Sequence, residues 1–132
     1  MRYIAITDSI NASEVALGCM RNAHLTPQEL NHLIHTAMDC GINFFDHADI
    51  YAGGESERKF GEALKLTPGL RAQIIIQSKC GICSGYYDLS KQHIIEAAEG
   101  SLARLGIEQR DLLLLPRPAA LMEAEEVAQA LP

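Results

Sequence analysis

The sequence predicts an α/β fold in which a short hairpin is followed by four strands that alternate with four helices. Two apolar segments, INFFD and QIIIQSK, have no polar face, which is typical of strands covered on both sides in a parallel sheet. Amphipathic segments with capping residues separate the apolar ones. Such alternation gives a parallel sheet with right-handed crossovers. We expect residues 1–132 to form a single domain.

The predicted strands follow from short apolar runs that are bounded by turn residues. YIAIT and the turn at Asp8–Asn11 indicate a hairpin that leads into the domain. The first strand of the parallel sheet is expected within Ser13–Cys19, and three more follow at Ile42–Asp46, Gln73–Lys79 and Asp111–Leu115.

The predicted helices are marked by their ends. Thr26, Pro27 and Glu29 form a capping box with proline at the first helical position, and Gly41 ends that helix. The others are expected at Ser56–Leu66, from the cap Ser90 to Gly106, and at Glu123–Leu131.

Composition excludes several classes of function. The chain has 132 residues, of which 48% are apolar and 21% charged, and its net charge of −6 argues against a nucleic-acid partner. No run of 18 apolar residues is present, so no transmembrane helix and no membrane partner are expected. The N-terminus lacks the features of a signal peptide, which predicts a cytoplasmic location.

Cys80 and Cys83 form a CxxC motif. Such a motif suggests a redox pair or half of a zinc site. A second pair, or histidines at ligand spacing, does not accompany it, and a loop rather than a helix follows it. We therefore favour reduced loop thiols without a metal.

Two architectures fit the alternation. A doubly wound sheet would bind a dinucleotide at its first strand-to-helix turn, but Gly18–Asn22 lacks the glycine fingerprint. A (β/α) barrel instead places polar side chains at the carboxyl ends of its strands. Asp46 ends the second strand, Tyr51 follows in the same loop, and Lys79 ends the third strand. All three are therefore expected at one mouth of a barrel.

The three side chains suit proton donation together. Each has an ordinary explanation alone: a turn cap for Asp46, loop packing for Tyr51 and a solvated cation for Lys79. A phenol is a poor proton donor at neutral pH, but a neighbouring ammonium stabilises its anion, and a carboxylate can hold that ammonium in place. An Asp–Lys–Tyr group is thus a general acid suited to a carbonyl oxygen that receives a proton as hydride reaches the carbon.

Three segments resemble the aldo-keto reductase family. GINFFDHADIYAGGESERKFGEAL is similar to the family's first signature, IIIQSKCG to the segment of its catalytic lysine, and DLLLLPRPAALMEAEEVAQAL to its fourth strand and following helix. The resemblance covers essentially the whole chain. It implies the (β/α)8 TIM-barrel fold, of which this chain supplies the N-terminal hairpin and about four βα units.

The resemblance also implies NADP(H)-dependent reduction of aldehydes or ketones, with a small-molecule carbonyl compound as substrate. Tyr51 would be the general acid, Lys79 would tune it, and Asp46 would orient Lys79 and touch the nicotinamide ribose. Glu57 matches the motif's carboxylate and is expected to be structural. The loop that approaches the cofactor through its backbone would be Gly18, Cys19 and Met20.

Two departures favour an alternative function. Pro116 stands where the family has a catalytic histidine, and losing such a donor commonly costs about 10²–10³-fold in rate. His47 is not expected to replace it, because it should point to the opposite face of its strand. The second departure is length, because a full barrel takes about 250 residues whereas this chain has 132 residues and about four βα units. The alternative is therefore a truncated, inactive half-barrel that acts as a structural or interaction module, and its open strand edges predict self-association. A third hypothesis is a CxxC thiol protein.

Overall fold

The computed structural model describes residues 1–115 and 122–131. A two-stranded antiparallel hairpin comes first, with strands β1 (Tyr3–Ala5) and β2 (Asn11–Ser13). The side chain of Asn43 binds the hairpin by accepting from Ser13 N at 2.8 Å and donating to Asn11 O at 3.0 Å. Asn43 immediately precedes the strand Phe44–Asp46 of the main sheet, so the hairpin packs at the amino end of that sheet.

The main sheet has four parallel strands in sequential order. They are β3 (Ala16–Gly18), β4 (Phe44–Asp46), β5 (Ile75–Lys79) and β6 (Leu112–Leu114). Sequential order in a parallel sheet requires a crossover between each pair of strands, and the helices supply it. The sequence-based prediction of an alternating parallel sheet is confirmed.

Four helices accompany the sheet. They are α1 (Pro27–Asp39), α2 (Glu55–Lys65), α3 (Lys91–Leu105) and α4 (Ala124–Ala130). The predicted capping box at Thr26 is present, since Thr26 Oγ1 accepts from Glu29 N at 3.2 Å and Glu29 Oε2 accepts from Thr26 N at 2.8 Å. Ser90 caps α3 through its side chain, which accepts from His93 N at 3.3 Å.

The core lies between one face of the sheet and the helices. Phe45 of β4 and Ile76 of β5 are fully buried and point toward the helix layer. The alternate residues of the same strands are only partly buried, because they lie on the other face of the sheet. Phe45 and Phe60 pack with ring centroids 5.5 Å apart, and they join β4 to α2. Further buried residues of this core include Leu30, Ile34, Ala63, Leu70 and Leu105.

The structure corrects the extent of the first predicted strand. Ser13 belongs to β2 of the hairpin, and β3 is limited to Ala16–Gly18. The Ser13 hydroxyl donates to Val15 O at 2.7 Å, which bends the chain between the two strands. Pro116 lies outside the described residues. In the part of the chain that the structure describes, no helix is long and apolar enough to cross a membrane.

Candidate active site

Asp46 and Lys79 meet at the carboxyl end of the sheet. They end the neighbouring strands β4 and β5, and both side chains are about three-quarters buried. Lys79 Nζ donates to Asp46 Oδ1 at 2.5 Å and to the backbone oxygen of His47 at 2.7 Å. The ammonium is therefore held by one carboxylate and one carbonyl, which are charge-assisted hydrogen bonds of the strong kind.

Gln77 belongs to the same group, although the sequence analysis did not single it out. Its Nε2 donates to Asp46 Oδ1 at 2.5 Å, the oxygen that also accepts from Lys79. Gln77 lies two residues before Lys79 on β5, so the period of two in a strand puts both side chains on one face. That spacing is the signal by which the sequence could have indicated it.

Tyr51 lies beside this ion pair. The Lys79 Nζ is 5.3 Å from the centroid of the Tyr51 ring, within the range of a cation–π contact. The structure therefore brings together the three residues that the sequence placed at one mouth, and their predicted roles stay predictions.

The loop that presents Tyr51 has an unusual backbone. Ala52, Gly53 and Gly54 all have positive φ, with Ala52 at 52°. A residue with a Cβ is disfavoured there by roughly 1–2 kcal/mol relative to its usual conformation. Backbone strain of this kind clusters at functional sites because the surrounding structure must hold it. The left-handed turn leads directly from Tyr51 into α2.

The loop after β3 lies next to Asp46. Gly18 is paired in register with Asp46, and an added Cβ at Gly18 would meet no atom within 4 Å, so there is open space above it. Met20 is 53% exposed. Cys19 is fully buried, and burial raises the pKa of its thiol above the usual range. Its backbone is already engaged, with N donating to Asp46 O at 2.8 Å and O accepting from Ser56 Oγ at 2.5 Å.

A small apolar pocket of about 60 Å³ borders Tyr51 and Lys79. Its wall includes Ala48, Ile50 and Ile82. Asp49 also borders it, and burial together with the charge of Glu57 raises the pKa of the Asp49 carboxyl.

Glu57 anchors a polar network behind the site. It is fully buried, as a structural role implies, and accepts hydrogen bonds from Ser78 Oγ at 2.6 Å, Ser101 Oγ at 2.7 Å and Arg104 Nε at 2.8 Å. These donors come from β5 and α3, so one carboxylate on α2 joins two other elements. Ser78 immediately precedes Lys79, which ties the network to the site.

His47 faces away from the site, as the sequence analysis expects. It is fully buried and packs edge-on against Phe60, with ring centroids 4.4 Å apart. Neither ring nitrogen has a hydrogen-bond partner among the described residues. Burial lowers the pKa of His47 to about 4, so the ring is neutral near pH 7.

The family model of the aldo/keto reductases matches residues 14–132. This chain belongs to the aldo/keto reductase family. Oxidoreductase YdhF of Escherichia coli (strain K12) is 44% identical over 115 residues, which cover 81% of this aldo/keto reductase chain and 39% of YdhF. Uncharacterized oxidoreductase YcsN of Bacillus subtilis (strain 168) is 40% identical, covering 98% of the chain and 47% of YcsN.

A solved family member has the same fold. The holo form of aldo-keto reductase AKR11C1 from Bacillus halodurans superposes with a TM-score of 0.82 at 31% identity, and the match covers 98% of this chain and 45% of that one. The predicted relation to the TIM-barrel fold is confirmed. The chain spans less than half the length of these relatives.

The carboxyl end of the sheet leaves polar atoms and space open to a ligand. Both hydrogen bonds that the described side chains give to Asp46 end on Oδ1, so neither of them occupies Oδ2. The open space above Gly18 admits a ligand close to the backbone. Cys19 offers less to a ligand, because its N–H already donates to the Asp46 backbone oxygen and its carbonyl oxygen already accepts from Ser56.

Proposed function

We propose that this chain carries the proton-donating site of a reductase that converts aldehydes or ketones to alcohols with NADPH. The observation that supports it most is the position of the Lys79 ammonium, which is hydrogen-bonded to Asp46 at 2.5 Å and lies 5.3 Å from the Tyr51 ring centroid. Membership of the aldo/keto reductase family supports the same chemistry.

The proposed proton donor is the hydroxyl of Tyr51. Its proton passes to the carbonyl oxygen of the substrate, and the nearby Lys79 ammonium stabilises the phenolate that remains. NADPH, when bound, supplies the hydride that reaches the carbonyl carbon. A proton from solvent then restores the phenol, so one carbonyl compound, one hydride and one proton give one alcohol.

Asp46 acts in the proposal by holding Lys79. Its Oδ1 accepts from both Lys79 and Gln77, which fixes the carboxylate and the ammonium in one arrangement. Preorganised charges of this kind need no rearrangement as the reaction proceeds. Asp46 Oδ2 and the loop of Gly18, Cys19 and Met20 are proposed to contact the cofactor.

Turnover by a tyrosine variant tests the proposal. The purified protein is mixed with NADPH and a panel of small aldehydes and ketones, and NADPH oxidation is followed by absorbance. Tyr51→Phe should lower kcat by about 10²–10⁴-fold, the contribution of a general acid. Tyr3→Phe is the matched control, because the Tyr3 hydroxyl donates to Gly41 O in the hairpin region and its loss should leave kcat unchanged. An equal rate in Tyr51→Phe and wild type would refute the assignment.

The alternative is a non-catalytic half-barrel that acts as a structural or interaction module. Pro116 favours it, because proline has no side-chain donor at the position that resembles the family's histidine. This alternative predicts no NADPH binding by calorimetry and self-association in light scattering. Tight NADPH binding by this chain would remove it.

A further inference from the structure

A cluster of cysteine, histidine and aspartate lies outside the site described above. Cys83 Sγ is 3.8 Å from Nε2 of His93, and Nδ1 of His93 is 4.0 Å from Oδ2 of Asp88. The two ring nitrogens therefore face different partners, a thiol on one side and a carboxylate on the other. This is the order in which a base activates a nucleophile and an acid group orients the base.

The local structure holds the three groups in place. Cys83 N donates to Tyr86 O at 2.9 Å and Asp88 N donates to Gly81 O at 3.0 Å, which closes the segment after β5 into a small loop. His93 lies in the first turn of α3, and Asp88 Oδ1 accepts from Ser90 N at 3.0 Å just before that helix. The cluster is thus built from one loop and the helix start that the loop leads into.

The charged groups around His93 include two carboxylates, Asp88 and Asp49. The hydrogen bond from Ser90 lowers the pKa of Asp88, so its carboxylate stays ionised beside His93. Asp49 carries a charge that also interacts with His93. A carboxylate beside an imidazole stabilises its charged form, the form that results when a thiol gives up its proton to it.

Cys83 also borders an open depression of about 490 Å³. Ile50, Gly53, Ile82, Ser84 and Asp49 form the rest of its wall. Ile50, Ile82 and Asp49 border the pocket of Tyr51 and Lys79 as well. The thiol therefore lies in a cavity that adjoins the candidate active site, and the wall that the two cavities share is partly apolar.

We propose that Cys83 is a covalent modification site for α,β-unsaturated carbonyl compounds, with His93 as its base and Asp88 as the group that orients His93. His93 Nε2 takes the thiol proton, and the thiolate sulfur forms a bond to the β-carbon of the ligand. The π electrons of the C=C bond move to give an enolate, which takes the proton back from His93 at its α-carbon. The product is a saturated thioether, and no oxidant or reductant is consumed.

The other cysteines serve as references within the same molecule. Cys19 and Cys80 are buried, and burial raises the pKa of Cys80 to about 11, so neither should react near pH 7. Cys40 is exposed and serves as an ordinary accessible thiol. The described residues contain no group of three or more His, Cys, Asp or Glu side chains that could hold a metal.

Peptide mapping by mass spectrometry after timed exposure to 2-cyclohexen-1-one tests the proposal. An unassisted thiol is only a few per cent thiolate near pH 7, so activation by His93 should make Cys83 react about tenfold faster than Cys40. His93→Gln keeps a polar side chain of similar length but removes the base. In that variant the Cys83 rate should fall to that of Cys40, while the Cys40 rate stays the same.

The same peptide maps also show whether the His93→Gln variant is still folded. Cys19 and Cys80 should stay unmodified in His93→Gln, and Asp88→Asn should lower the Cys83 rate in the same direction by a smaller factor. Equal rates at Cys83 and Cys40 in the wild-type protein would overturn the proposal. So would an unchanged ratio in His93→Gln with Cys19 and Cys80 still protected.

Discussion

Replacing Glu57 by glutamine removes the charge from a fully buried carboxylate that accepts three hydrogen bonds. Glutamine keeps one acceptor oxygen for the two serines, but its amide nitrogen then faces Arg104 Nε, donor against donor. Removing one partner of a buried ion pair costs about 3–5 kcal/mol. The Arg104 side chain is 32% exposed and regains some hydration, so we expect a loss of about 3 kcal/mol.

Urea denaturation of the wild type and of Glu57→Gln measures this loss as a shift in the free energy of unfolding at constant m-value. Glu62→Gln on the same helix is the matched control, because its ion pair with Arg58 is exposed and should contribute far less. If Glu57→Gln costs no more than Glu62→Gln, the network is not the link between α2, β5 and α3 that its hydrogen bonds indicate.

Three further changes have defined outcomes. Burial lowers the pKa of His47 to about 4, so as the pH falls the unfolded chain binds a proton at this ring before the folded protein does. The free energy of unfolding should therefore fall by on the order of 3 kcal/mol between about pH 6.5 and pH 4. Denaturation midpoints across that range measure it. Gly61→Ala would push a Cβ into the backbone oxygen of Leu105 and should destabilise the protein by about 1–3 kcal/mol in urea. Thr26→Ala removes the cap of α1 and should cost about 1 kcal/mol in the same assay.

Each of these has a comparison that can contradict it. The fall with pH should be smaller in His47→Gln, and an identical pH profile would show that other groups cause it. Gly100→Ala places a Cβ near the flexible end of Arg104, so it should be tolerated far better than Gly61→Ala. Equal costs for the two glycines would contradict the close contact of α2 and α3. An unchanged midpoint in Thr26→Ala would show that the capping box does not stabilise α1.

The sequence predicted the parts of the fold that depend on local pattern. Apolar runs and caps placed the strands and helices, and the strand ends then placed Asp46 and Lys79 on one edge, because adjacent parallel strands end together. The predicted extent of β3 was wrong, because the bend at Ser13 depends on a hydrogen bond from its hydroxyl to Val15 O, and no sequence periodicity encodes that bond.

The contacts between distant segments could not be predicted in this way. Glu57 accepts hydrogen bonds from Ser101 and Arg104, which lie more than 40 positions further along the chain, and these contacts depend on how α2 packs on α3. The sequence analysis favoured reduced loop thiols at Cys80 and Cys83, but it could not indicate that Cys83 lies beside a histidine of the next helix or that Cys80 is buried. Side chains that meet through packing leave no spacing signal in one sequence.

A double-mutant cycle in kcat for NADPH-dependent carbonyl reduction tests the central claim most directly. Wild type, Tyr51→Phe, Lys79→Met and the double variant are compared with one aldehyde at saturating NADPH. If Lys79 acts by stabilising the phenolate of Tyr51, the double variant should be within about tenfold of Tyr51→Phe alone, because residues that act as a unit are not additive. Losses that multiply fully, or a wild-type protein that consumes no NADPH with any carbonyl compound, would contradict the account.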